Sequence, residues 1–285
     1  MAKYRKILVA YDGSDSSRNT LRQACRLARL DRSWIKVLAV VPSYSGDLEL
    51  IGVSNIKETM LGPGQKLLAE AKEIAADEDV HILTNLEQGE PYERIVTVAE
   101  DEGCDLIVMG RRGRSHIERD LIGGVTARVI GHTPKDVLVI PSQSRISWEK
   151  ILLATDGSSY SAAAEDLAFA LAKERNSVLC AVSVAYTNDE FSALAPEAAK
   201  ELADKAAERL AEIKKRGEVE GVPVTTYVKE GEPFEAITQV ALDTQATVIV
   251  MGSHGRKGLT RLLMGSVTEH VVGLSPCPVL VSHLK

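Results

Sequence analysis

The sequence predicts an α/β fold: two tandem, doubly wound domains, each a five-stranded parallel sheet with strand order 3-2-1-4-5. Three observations carry this. Short apolar runs such as Leu106-Ile107-Val108-Met109 and Val248-Ile249-Val250-Met251 read as strands buried on both faces. Amphipathic segments at helical spacing separate them; Leu67, Leu68, Ala71, Ile74 and Ala75 form one such stripe. The whole pattern then occurs twice in the same order. Lys6-Ile7-Leu8-Val9-Ala10-Tyr11-Asp12-Gly13-Ser14 matches Lys150-Ile151-Leu152-Leu153-Ala154-Thr155-Asp156-Gly157-Ser158. Gly89-Glu90-Pro91 matches Gly231-Glu232-Pro233, and Pro134 to Ile140 matches Pro276 to Ser282. A polar stretch at 142–147 separates the copies, giving domains of residues 1–145 and 146–285.

In the first copy, strands are expected at 6–11, 34–41, 80–86, 105–110 and 136–140, and helices at 15–30, 58–77, 91–102 and 124–132. Asp-Gly-Ser at 12–14 is a turn and cap sequence that opens the first helix. Pro91 suits a first helical turn and Gly89 supplies the bend before it, so Gly-Glu-Pro is given no chemistry. The second copy repeats the strands near 149–155, 178–185, 223–229, 246–252 and 278–283.

The strand order locates a ligand. Strands 1 and 4 become neighbours whose connections leave toward opposite faces, and a crevice opens beyond their carboxyl ends. Asp12 and Asp156 end strand 1, while Gly110 and Gly252 end strand 4. After each strand 4 comes a glycine loop: Gly110 and Gly113, then Gly123-Gly124; Gly252-Ser253-His254-Gly255, then Gly265-Ser266. Glycines let the backbone approach a ligand, and a helix starting just after aims N–H groups at it. Residues 252–268 also carry His254, Arg256, Lys257 and Arg261 and no carboxylate, which suits an anion. Ser266 begins the helix and is expected both to cap it and to donate to a phosphate oxygen. Asp12 and Asp156, beside phosphates, suit ribose hydroxyls or Mg²⁺.

The signatures of other chemistries are missing. There is no P-loop, no G-x-G-x-x-G after a first strand, no G-x-S-x-G elbow and no histidine pair at metal-ligand spacing. No nucleophile stands beside a base in the sequence pattern. A net charge of -6 argues against nucleic acid as a general partner. No apolar run approaches the roughly 18 residues of a membrane span, and the N-terminus runs straight into a strand without a signal peptide. Cys25, Cys104, Cys180 and Cys277 are far apart and read as free thiols of a reducing cytoplasm. Cys277, between two prolines, reads as a packing residue, with a redox sensor as the alternative left open.

The G-x2-G-x9-G-[ST] loop, the aspartate ending strand 1 and the Pro-x-x-Val-Leu-Val last strand resemble the universal stress protein family in its tandem form, over nearly the whole chain. The resemblance implies the adenine nucleotide alpha hydrolase-like form of the fold, and ATP as the ligand of many members while others bind no nucleotide; ADP or AMP are alternatives, and Mg²⁺ with the nucleotide is the second option for Asp12 and Asp156. In the second copy it implies that Ala154 and Asp156 flank adenine and ribose and that Val184 offers its backbone to the adenine. Met251 and Gly252 would line the ribose, with Ser253, Gly255, Gly265, Ser266 and Val267 on the phosphates. Ala10, Asp12, Val40, Met109, Gly110, Gly113, Gly123 and Val125 take the same roles in the first copy. That copy departs at Gly124, where the family has Ser or Thr. One hydrogen bond to a charged group is worth about 1.5–3 kcal/mol, so copy one should bind about ten- to a hundredfold more weakly.

The last strands, Val137 to Ile140 and Val279 to Ser282, would be apolar sheet edges in isolated domains. They are expected to pair with each other as an internal pseudo-dimer, and a homodimer is a further expectation. The connection at 42–57, with Tyr44, Gly46, Asp47 and Gly52, is longer than that at 186–195 and reads as a variable surface loop, with a mobile cover over the nucleotide as the alternative. Three functions compete: a nucleotide-responsive stress or signalling module without efficient catalysis, a slow ATPase or nucleotidyl transferase, and a scaffold with vestigial sites.

Overall fold

The computed structural model describes residues 3–43, 56–113, 122–255 and 264–284. Arg256, Lys257 and Arg261, and Tyr44, Gly46, Asp47 and Gly52, lie outside them. In the first half, β1 (Lys6–Ala10), β2 (Trp34–Val41), β3 (Ile82–Gln88), β4 (Leu106–Gly110) and β5 (Asp136–Ile140) alternate with α1 (Asp15–Asp31), α2 (Ile56–Asp77), α3 (Pro91–Asp101) and α4 (Gly124–His132). The second half holds β6 (Lys150–Ala154), α5 (Ser159–Arg175), β7 (Val178–Ala185), α6 (Asp189–Leu194) and α7 (Pro196–Glu220). It continues with β8 (Val224–Glu230), α8 (Pro233–Thr244), β9 (Val248–Gly252), α9 (Ser266–Leu274) and β10 (Val279–Ser282).

The ten strands of the described residues form one sheet, ordered β3-β2-β1-β4-β5-β10-β9-β6-β7-β8. Within each half the order is the expected 3-2-1-4-5 and every pair is parallel. The halves meet edge to edge through the antiparallel pair β5–β10, in the register Val137↔Val281, Leu138↔Leu280 and Val139↔Val279. Those residues are buried on both faces, so each copy covers the apolar edge that the other would expose. The core follows the sheet. One apolar layer runs under α1, α2, α5 and α7 and the other under α3, α4, α8 and α9, and each contains residues of both copies.

Side chains bind the halves as well. Arg111, just after β4, donates to the Ser275 carbonyl at the end of α9. In the reverse direction His283, just after β10, bonds through Nε2 to the Ile130 carbonyl of α4 at 2.8 Å. Burial holds His283 below the usual imidazole range, so Nε2 is the protonated nitrogen of a neutral ring. Asp31 and Arg175, the last residues of α1 and α5, pair with 2.5 Å between oxygen and nitrogen.

Several boundaries differ from the sequence reading for a common reason. Strands expected at 80 and 246 begin at Ile82 and Val248 because the preceding residues close helices. Asp79 and Gln245 adopt left-handed backbone, and Val80 and Ala246 donate their N–H groups back to Ala75 and Ala241. The connection after β7 is not a plain loop: Asn188 caps the short helix α6 by accepting from Phe191 N–H at 2.7 Å. All four cysteines are buried, and burial pushes the Cys277 thiol up and the Cys25 thiol up to about 12. Reactivity needs the thiolate, and burial disfavours it at Cys277, which packs in the core layer with Ile249 and Val279.

Candidate functional site

Each half presents the same construction at the carboxyl ends of its two central strands, β1 with β4 and β6 with β9. It begins with the Asp-Gly-Ser turn. Asp156 Oδ1 accepts from Ser158 N–H at 2.9 Å, Gly157 has φ 76°, and Ser158 caps α5 by accepting from Ser161 N–H. Asp12, Gly13 and Ser14 repeat this at the start of α1.

The loop after β9 packs onto that turn, and its glycines are set by neighbours inside the protein. A Cβ on Gly252 would lie 2.8 Å from backbone atoms of Tyr160, and one on Gly255 would lie 2.8 Å from Asp156 Oδ2. Asp12 Oδ2 would meet a Cβ on Gly113 at 2.5 Å. Glycine therefore brings loop backbone, with its N–H groups, beside the aspartate. Gly265 is confined too: a Cβ would sit 3.2 Å from His254 Cα and 3.3 Å from the Ser253 carbonyl oxygen.

The cradle differs from the expected one in three respects. Ser266 does not cap α9; the cap is Gly265, and Ser266 is the first helical residue. Gly265 has no side chain to offer, and among the described residues no side chain caps this end. Second, Gly265 N–H is committed to the Ser253 carbonyl at 3.0 Å, so the donors left at the start of α9 are Ser266, Val267 and Thr268. Third, Ser253 is 1% exposed and outside the cavity lining. Its N–H goes to the Ser282 carbonyl at 3.1 Å and its hydroxyl pairs with His254 Nδ1 at 3.1 Å. That is a serine beside an imidazole, which the sequence pattern did not suggest, but the hydroxyl faces inward and cannot meet a ligand.

At the other end of the site β6 stops first. Thr155 N–H, the next amide, donates to the Val182 carbonyl at 3.0 Å, and Gly231 N–H takes the Ala185 carbonyl at 3.1 Å on the opposite side of β7. Strand groups alternate sides, so the N–H and C=O of Val184 face the space that β6 has vacated. The turn, the glycine loop, the start of α9 and this strand edge enclose a cavity of about 630 Å³, within the range of small-molecule sites. Of the residues expected in the second copy, Ala154, Asp156, Val184, Met251, Gly252, Gly255, Gly265, Ser266 and Val267 all line it.

The first copy shares the backbone plan. Gly123 is the α4 cap, its N–H bonded to the Arg111 carbonyl at 2.9 Å, and Gly124 is the first helical residue. Ala10, Val40 and Val125 are partly buried against the core layer under α3, α4, α8 and α9, which also holds Met109, and Gly110 closes β4 against Ser16. Its side chains diverge: Arg111 and Arg112 stand where the second copy has Ser253 and His254.

A family model described as the universal stress protein family matches residues 3–141 and again 147–283. The chain belongs to that family. A universal stress protein of Mycobacterium tuberculosis is 30% identical over 235 residues, covering 77% of this chain and 76% of that protein. One from Methanocaldococcus jannaschii is 37% identical over 139 residues, which is 47% of this chain and 81% of that protein. Among solved structures, a universal stress protein of Archaeoglobus fulgidus superposes with TM-score 0.76 at 22% identity, covering 98% of both chains, and shows the shared fold.

Within this universal stress protein fold the cavity has walls that motif reading missed. Leu202, Ala206 and Arg209 come from α7, and Tyr186, Glu232 and Ile237 close the far end. Arg209 lies against the Gly157 turn and its Nη1 reaches Ser183 Oγ at 3.3 Å. A comparison of copies carried a signal for it. Leu68 and Leu210 occupy matching core positions, and the residues before them are Leu67 and Arg209. A cation replacing leucine on an apolar helix face marks a wall that is not simply core.

Proposed function

We propose that the chain is an ATP-binding stress or signalling module in which nucleotide sets conformation, without efficient catalysis. The observation that carries this is the convergence, in one cavity, of three chemistries in the order of a nucleotide's parts. An apolar slot between Val182, Val184, Ala206 and Ile237 suits adenine, with the Val184 amide edge against its ring nitrogens. Asp156 suits the ribose hydroxyls, and Mg²⁺ among the phosphates would find its oxygen ligand on the same side chain. The N–H groups of Ser266, Val267 and Thr268 suit the phosphates, aided by the positive end of α9. Family membership adds support. The Ser253 hydroxyl is held on His254 Nδ1 outside the cavity lining, and in this reading it takes no part in the chemistry of the site. Residues 1–145 and 146–285 are the two binding units in this reading. The test is mass spectrometry of what co-purifies, followed by calorimetric titration of ATP into the stripped chain. An adenine nucleotide and saturable binding are expected; no heat at millimolar ATP would defeat the reading.

The copies should differ, and one substitution should narrow the gap. An added Cβ on Gly124 meets nothing within 4 Å, so serine fits there and restores the hydroxyl of Ser266. Gly124→Ser is expected to tighten ATP at the first site by about tenfold, the lower end of a charge-assisted hydrogen bond. Titrating it in a chain whose second site is disabled reads this directly; an unchanged first-site Kd would remove Gly124 as the cause of weakness.

A further inference from the structure

The repeated Gly-Glu-Pro motif has so far only a turn to its credit, yet its two glutamates have different surroundings. Gly231, at φ 106°, donates to the Ala185 carbonyl at 3.1 Å and so fixes Glu232 beside the end of β7, where the Val184 amide edge lies. Glu232 lines the cavity next to Pro233 and Ile237. It occupies the cap position of α8 but makes no capping hydrogen bond. Half-buried, its carboxylate has no hydrogen bond or ion pair with any described residue.

The first copy diverts the equivalent group. Glu90 there pairs with Arg128 Nη1 at 3.0 Å. Counting from the cap glycines Gly123 and Gly265, the residue matching Arg128 is His270. That imidazole bonds the Ser266 carbonyl through Nδ1 at 2.7 Å and stacks on Phe234 with centroids 4.6 Å apart. The second copy has thus exchanged the glutamate's cation for a ring occupied elsewhere, and left the carboxylate at the slot's far end.

We propose that Glu232 reads the base: it accepts a hydrogen bond from the exocyclic amine of a 6-aminopurine and turns away a 6-oxopurine. The inference rests on the nucleotide reading above. A carboxylate offers acceptors only. A 6-amino group has two hydrogens, one for the Val184 carbonyl and one for Glu232. A 6-oxo group would set an acceptor against both, leaving buried polar atoms unpaired, and that mismatch discriminates far more than lost apolar contact does. Glu90, neutralised by Arg128, gives the first copy no such selectivity.

The experiment titrates ATP and GTP into the full chain and into E232Q and E90Q. The wild type should prefer ATP at its tighter site by about a hundredfold or more, on the scale of a site that loses its hydrogen bonds to a mismatched ligand. In E232Q, an amide that can present either its oxygen or its NH₂ should collapse that ratio by about tenfold or more, mostly by weakening ATP. E90Q should leave the tighter site's ratio unchanged. Glu232 provides no cap bond, so E232Q gives up only a charge at the positive end of α8, and thermal unfolding of E232Q checks that the fold is kept. ATP binding with the same ATP-to-GTP ratio in E232Q, an equal loss of both nucleotides, or a ratio moved by E90Q would overturn the inference while leaving nucleotide binding intact. A wild-type chain that binds neither nucleotide would instead overturn the functional reading beneath it.

Discussion

Valine at position 265 is expected to abolish measurable ATP binding at the second site. Gly265 is wedged between the two ends of the glycine loop, with His254 Cα 3.2 Å and the Ser253 oxygen 3.3 Å from where a Cβ would go. Those neighbours are backbone and cannot rotate aside. The two methyl groups of valine must separate α9 from the loop, breaking the Gly265 N–H bond to Ser253 and shifting the amides of Ser266 and Val267 away from Asp156. Losing two hydrogen bonds to charged phosphate costs about 3–6 kcal/mol, or roughly a hundredfold to ten-thousandfold in Kd. Overpacking costs the fold about 1–3 kcal/mol, so thermal unfolding must accompany the titration. A folded Gly265→Val chain with wild-type affinity at both sites would show that the start of α9 holds no phosphate.

Much of this was legible in the sequence because duplication checks each element twice. The runs ending at Met109 and Met251 are too uniformly apolar for anything but central strands, and the aspartates at 12 and 156 fall where the strand order must open a crevice. What escaped reading depends on direction, which spacing does not encode. Ser253 stands in the loop motif beside Gly252, yet its side chain turns inward to His254. Arg209 sits on a long helix far from every motif, and only folding carries it over the Gly157 turn. Spacing alone ascribes glycine in these loops to a ligand's approach; at positions 113 and 255 the aspartate carboxylate already requires it. Strand starts were misplaced where a non-glycine residue, Asp79 or Gln245, takes the left-handed conformation that ends a helix. Sequence announces that turn plainly only when the residue is glycine, as at Gly221.

Arg175→Met should lower stability by about 3–5 kcal/mol at neutral pH, as expected when one partner of a buried ion pair is removed. The side chains of Arg175 and Asp31 are 14% and 4% exposed, and they join the ends of α5 and α1 across the two copies. Burial already raises the Asp31 carboxyl above the usual carboxylate range, and the hydrogen bond and charge of Arg175 oppose that rise. Methionine keeps an apolar stem near the Trp148 ring, over which the guanidinium now lies at 5.7 Å, but takes away the opposing charge. The Asp31 carboxyl then rises further. A folded-state value above the unfolded one means that the native protein holds a proton the unfolded chain has released. Stability contributed by this group is therefore full below the unfolded value of about 3.9 and falls as pH climbs through the folded one. The gap between wild type and Arg175→Met should be small near pH 4 and reach its full size by pH 7, as read from urea unfolding at both. Replacing both partners, in an Asp31→Leu and Arg175→Met double variant, should recover most of the loss at pH 7, since a packed apolar pair substitutes well for a buried ion pair. A deficit independent of pH and not recovered in the double variant would mean that Arg175 holds the copies together by packing on Trp148 and not by neutralising Asp31.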